Sequence, residues 1–178
     1  MKTKLILALA CASLSVISCE KKQAETSESV SSANPSLEKF FTEEAFADAE
    51  AIHAVKLKAK PGDEVVLRGQ LMGRGKVFVD GRASFILGDP EKLTPCNQIP
   101  GDGCETPWDA CCDDKELKLA STASIQILGE DGRVLDGGLR GIGGLKELSE
   151  VTLKGVVAEQ SSTDLLLVNA TAIHVTEP

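Results

Sequence analysis

Tyrosine is absent, and aromatic residues of every kind make up 3% of the 178-residue chain, as five Phe and one Trp. A surface that stacks bases or sugar rings needs exposed aromatics, so this scarcity argues against such ligands. Histidine occurs twice, at His53 and His174, which leaves little from which to build histidine-based hydrolytic machinery. No Ser-His-Asp pattern, phosphate-cradling loop or carboxylate pair stands out. Gly141, Ile142, Gly143 and Gly144 lack the strand-to-helix surroundings of a dinucleotide site. Positive charge is also short: 19 Lys and Arg face 27 Asp and Glu, for a net charge of -8. An acidic surface repels phosphate backbones and anionic lipid heads, so nucleic acid is excluded as an expected partner.

What is present begins with an address. Residues 1–19, MKTKLILALACASLSVISC, carry basic Lys2 and Lys4, an apolar run over residues 5–17 and small Ser18 before Cys19. The run is too short to span a bilayer stably and reads as a secretory signal over residues 1–18. Val16, Ile17, Ser18 and Cys19 resemble the bacterial lipobox, in which the cysteine thiol is acylated before cleavage and becomes the mature N-terminus. That resemblance implies a lipidation site at Cys19, with two or three acyl chains as the membrane anchor. Cys11 lies midway through the apolar run and is discarded with it. Residues 19–36 then form the lipidated cysteine and a disordered tether, poor in apolar side chains. Its seventeen coil residues after Cys19 reach roughly 20 to 25 Å. Glu20 is not the Asp that marks inner-membrane retention in enteric lipoproteins. By that resemblance the expected location is the outer membrane, facing the periplasm.

Four cysteines remain, and all lie in the stretch CNQIPGDGCETPWDACCDD, residues 96–114, together with the single Trp. Before it, Thr42 is positioned to cap a helix over residues 43–54, with Phe46, Ala49, Ile52 and His53 on one stripe. This helix and its lead-in occupy residues 37–60. His53 reads as a packed or surface histidine, with a metal role as the alternative. From residue 61 the period becomes alternating. Strands are predicted over residues 64–72, 77–87, 123–128, 151–158 and 165–175, the second of them a hairpin if Asp80 and Gly81 turn. A helical turn is placed at residues 145–148. Glycines inside closely spaced strands point to a small barrel whose strands bend sharply.

The strings GDEVVLRGQL, VTLKGVV and LLLVNATAIHV resemble strands one, four and five of the OB-fold over residues 62–176. The expected fold is therefore mainly β: a small five-stranded OB-like barrel spanning residues 61–178, with a short N-terminal helix and a cysteine-rich loop insertion at residues 89–118. The resemblance does not carry nucleic-acid binding with it, since the strands offer at most Phe78 and Phe85. Periplasmic haem-chaperone OB proteins hold their cofactor through a C-terminal histidine and tyrosine. Here there is no Tyr, and His174 falls inside a strand. The TPWDACC string is similar to that of uncharacterised bacterial envelope proteins of this architecture, which implies no mechanism.

Cys96, Cys104, Cys111 and Cys112 outside the cytoplasm are expected to form two disulfides, with Cys111 and Cys112 each joined to Cys96 or Cys104. The pairing is open at this level. The alternative is a thiolate site for zinc or copper, with Asp109, Asp113 and Asp114 nearby. A third reading is thiol-disulfide exchange at Cys111 and Cys112, against which the surrounding acids weigh by raising thiol pKa. Trp108 either plugs the loop onto the barrel or, with Asp109, contacts a ligand. Asp102, Glu105 and the other loop acids follow no calcium-loop spacing. The functional expectation is a lipid-anchored, non-enzymatic binding or interaction module of the cell envelope. It needs no cofactor, and its protein or small-molecule partner is unknown. A metal-binding (Zn or Cu) or redox protein is the alternative.

Overall fold

The computed structural model describes residues 35–176, and the readings of the leader, of Cys19 and of most of the tether lie outside the described residues. The chain runs α1 (Pro35–Glu38), β1 (Glu50–Ala51), α2 (Ile52–Lys56), β2 (Glu64–Gln70), β3 (Ser84–Gly88), α3 (Lys115–Ala120), β4 (Thr122–Gln126), β5 (Glu150–Val157) and β6 (Leu166–Thr176). Strand order is β1-β2-β3-β4-β6-β5, and β5 pairs back onto β2. Five strands thus close on themselves into the expected OB-like barrel, mixed because β4 and β6 run parallel. β1 is an extra strand, parallel to β2 at Leu67 and Arg68. It lies along β2 just before the single ladder pair that joins β2 to β3, Gln70 with Gly88.

Alternation places the core. Leu67 from β2, Phe85 and Leu87 from β3, Ile125 from β4, Leu153 from β5 and Val168 and Ile173 from β6 are all fully buried. With so few aromatics the interior is aliphatic, and Phe78 and Phe85 both belong to it. Neither therefore offers a stacking surface.

Two glycines let the barrel bend. A Cβ on Gly69 would meet the Leu87 side chain at 2.7 Å and the Gly88 carbonyl at 2.8 Å, so the crossing of β2 over β3 has room only for hydrogen. A Cβ on Gly155 would lie 2.6 Å from the Asn169 carbonyl, beside the register shift that joins β5 to β6. The stretch over residues 77–87 is a hairpin: Phe78 bridges Phe85, and the Val79 N–H donates to the Ser84 carbonyl at 3.0 Å.

The helix expected over residues 43–54 is a correction. Only Ile52–Lys56 is helical, and β1 precedes it. Tertiary contacts draw the earlier residues off. The Phe46 N–H donates to Thr152 Oγ1 at 3.2 Å, and the Lys154 ammonium sits 4.7 Å over the Phe46 ring. The Thr42 N–H bonds the Ile173 carbonyl, so Thr42 belongs to a bridge along β6 and caps nothing. The helical turn expected at residues 145–148 lies instead at Ile142–Gly144, as a single 3-10 turn between β4 and β5. Leu148 adopts φ 64 and pairs its N–H with the Leu71 carbonyl. Helix α3 was not anticipated; it closes the cysteine-rich insertion.

Candidate metal centre

The insertion leaves β3 at Asp89 and folds back on itself. The Cys96 N–H donates to the Asp109 carbonyl at 2.8 Å and the Asn97 N–H to the Pro107 carbonyl at 2.9 Å. The Thr94 N–H is held by the Asp113 carboxylate at 2.8 Å. Beneath this lies a small core of its own, formed by Met72, Leu93 and Ala110 with Trp108, Leu117 and Leu148 against it. Trp108 accepts the Gly73 N–H at its carbonyl and donates Nε1–H to the Gly75 carbonyl at 3.0 Å. Its ring packs as a plug between loop and barrel. The loop is thus anchored by packing and backbone hydrogen bonds, independently of any bond between sulfurs.

This scaffold brings three thiols together. The sulfurs of Cys96, Cys104 and Cys111 all lie within 4.8 Å of one another. The Cys96 to Cys111 separation is 3.4 Å and that of Cys111 to Cys112 is 4.0 Å. A disulfide is about 2.05 Å long, and all four described cysteines are free thiols at these distances. A tetrahedral ion with metal–sulfur bonds of about 2.3 Å holds its sulfurs roughly 3.8 Å apart, which falls inside the observed range. Cys112 stands outside the trio and groups with Asp102 and Cys111 instead. Of the trio, Cys96 is buried and Cys111 exposed, so the cluster reaches from the core to the solvent. Asp109, Asp113 and Asp114 belong to no ligand group among the described residues. Asp109 caps its own turn, accepting the Ala110 N–H at 2.7 Å.

The thiols differ in acidity. Burial pushes the Cys96 thiol up to about 12, against a hydrogen bond from the Cys111 backbone and with the Cys111, Asp102 and Cys104 side chains adding to the rise. Cys104 is lowered, first by the Thr106 hydroxyl at 3.4 Å and then by the Thr106 backbone. At Cys111 the contact with Cys96 favours the thiolate, but Cys112, burial and Cys104 outweigh it and the net shift is upward. One thiol therefore ionises readily while two resist. A bound cation favours the thiolate at all three sulfurs, so metal binding would release the protons that Cys96 and Cys111 otherwise hold.

One pair escaped the sequence reading. His53 Nδ1 lies 2.7 Å from Oδ2 of Asp89, a carboxylate with no exposure at all. Nothing in the local sequence around Asp89 marks it, because its partner is 36 residues away.

The fold and the loop together define a class: an OB-like barrel bearing an inserted loop with a cluster of thiols. Comparisons with protein-family models, with curated proteins and with solved structures find no match for this chain.

Proposed function

We propose that this chain is a lipid-anchored protein of the cell envelope, tethered through Cys19, whose ligand is a soft metal ion. Cys96, Cys104 and Cys111 bind zinc or copper(I) as thiolates, and the protein is a binding module and not an enzyme. The observation that carries this reading is the approach of three sulfurs to within 4.8 Å on a loop that other contacts already anchor. Sulfur donors select copper(I) and zinc over harder ions. Three thiolates suffice for trigonal copper(I); zinc takes a fourth ligand from water.

The test is elemental analysis of the purified full chain, joined to intact mass with and without thiol alkylation. About one zinc or copper per chain, lost in the Cys96→Ser and Cys104→Ser variants, supports the reading. Absence of metal after reduction and reconstitution with either ion sinks it.

A second reading rests on the 3.4 Å between Cys96 and Cys111, the pair best placed to oxidise. A disulfide there closes a loop of about 15 residues and contributes about 3 kcal/mol by restricting the unfolded chain. The same mass measurement separates the two readings, since oxidation to a disulfide removes two hydrogen atoms, as two protons and two electrons passed to an external oxidant, and protects both thiols from alkylation.

A further inference from the structure

We propose that His53, Asp89 and Glu91 form a second metal site, free of sulfur, for a divalent first-row cation with mixed nitrogen and oxygen ligands. Their ligand atoms all lie within 4.8 Å of one another. His53 Nδ1 and Asp89 Oδ2 are 2.7 Å apart, a span that a cation bonded at about 2.1 Å to each can bridge. The proton between the two atoms leaves to solvent as the metal takes its place.

The carboxylate is fixed by backbone hydrogen bonds to both its oxygens, as metal-binding carboxylates commonly are. The His53 backbone N–H donates to Oδ2 at 2.9 Å, and the Glu91 backbone N–H donates to Oδ1 at 2.9 Å. These two bonds fix Asp89 at the end of β3, where it is fully buried. Arg68 Nη2 donates to Glu91 Oε1 at 2.5 Å and orients that side chain. Imidazole with two carboxylates suits manganese, iron(II) or zinc, in contrast to the all-sulfur trio.

A second observation lies beside these three residues. The Ser121 hydroxyl is buried, with the residue 1% exposed, and has no hydrogen-bond partner among the described residues. A native buried hydroxyl without a partner marks an absent water or ligand. Ser121 and His53 line one cleft of about 550 Å³ beside α2 and α3. The Ser121 carbonyl also accepts the Asp89 N–H at 2.9 Å, so hydroxyl and carboxylate share one neighbourhood. Three protein ligands leave coordination positions open to water.

The experiment is a titration of the isotope-labelled full chain with Mn2+, a paramagnetic ion that thiolates bind poorly. The expected result is broadening of the amides of residues 52–54 and 88–92 before those of residues 96–112. In the Glu91→Gln variant, a surface change that keeps the fold, the titration shifts to at least about tenfold higher Mn2+. Broadening spread evenly over exposed acids such as Asp131 and Asp136 overturns the proposal and leaves the His53 and Asp89 pair as a structural tie. An unchanged titration in Glu91→Gln overturns it as well. Because the probe avoids sulfur, the outcome does not depend on whether the thiol trio binds metal.

Discussion

The indole Nε1–H of Trp108 donates to the carbonyl of Gly75 at 3.0 Å, joining the cysteine-rich loop to the connection between β2 and β3 across 33 residues of chain. Trp108→Phe removes this hydrogen bond and is expected to cost about 1 kcal/mol. Trp108→Ala also empties the space between the two cores and is expected to cost about 3 kcal/mol. Urea unfolding measures both. The loop amides lose hydrogen-exchange protection in the alanine variant ahead of the barrel strands, and equal loss everywhere counts against a local plug.

Gly155 tests the bend of β5. A methyl group there meets the Asn169 carbonyl and the Val168 side chain at 2.6 Å, and one of these neighbours is backbone that cannot step aside. Gly155→Ala is expected to destabilise by about 1 to 3 kcal/mol. Gly138 has nothing within 4 Å of its would-be Cβ, so Gly138→Ala is the control and stays within about 0.5 kcal/mol of the parent. Equal midpoints for the two variants contradict the close approach of β5 and β6.

The thiols should react in order. Cys104 is held below the ordinary thiol range by Thr106, whereas Cys96 is raised to about 12 and buried. Only the thiolate alkylates, so iodoacetamide reaches Cys104 first, and its rate rises at lower pH than that of Cys96. Peptide mapping of metal-free, reduced protein reads the order directly. Thr106→Val removes the hydroxyl that favours the thiolate and moves the Cys104 profile to higher pH.

Lys56 gives a pH dependence on the alkaline side. Burial lowers its pKa from 10.5, with Asp164 opposing, and its ammonium donates to the carbonyls of Leu119 and Asp164. The sign follows from proton counting: between the lowered folded pKa and the unfolded value, the unfolded chain binds more protons. The contribution of Lys56 to stability therefore rises as pH climbs through that window toward 10.5. Urea midpoints across the window show a smaller rise in Lys56→Gln than in the parent.

Much of the barrel was legible because strand information is local. The alternation of VVLRGQ, the internal glycines and the spacing of the last two strands are properties of adjacent residues, and β2, β5 and β6 fall where that pattern puts them. The amphipathic stripe of residues 43–54 misled for the same reason. Its period is genuine, but Thr152 and Lys154 compete for Phe46, and helix propensity over so few residues is weaker than those contacts.

The site divides along the same line. Four thiols sharing one loop, Trp108 within that loop, and a lipobox-like cysteine ahead of a stretch poor in apolar residues can all be read from the sequence by itself. These follow from which residues stand next to which. The convergence of Cys96, Cys104 and Cys111, the turn of Cys112 to Asp102 and the meeting of Asp89 with His53 all arise from the folded chain. Those distances depend on how the loop closes on Met72 and Gly75 and how α2 lies against the end of β3. Such approaches are set by packing between residues far apart in the chain, which no local pattern encodes.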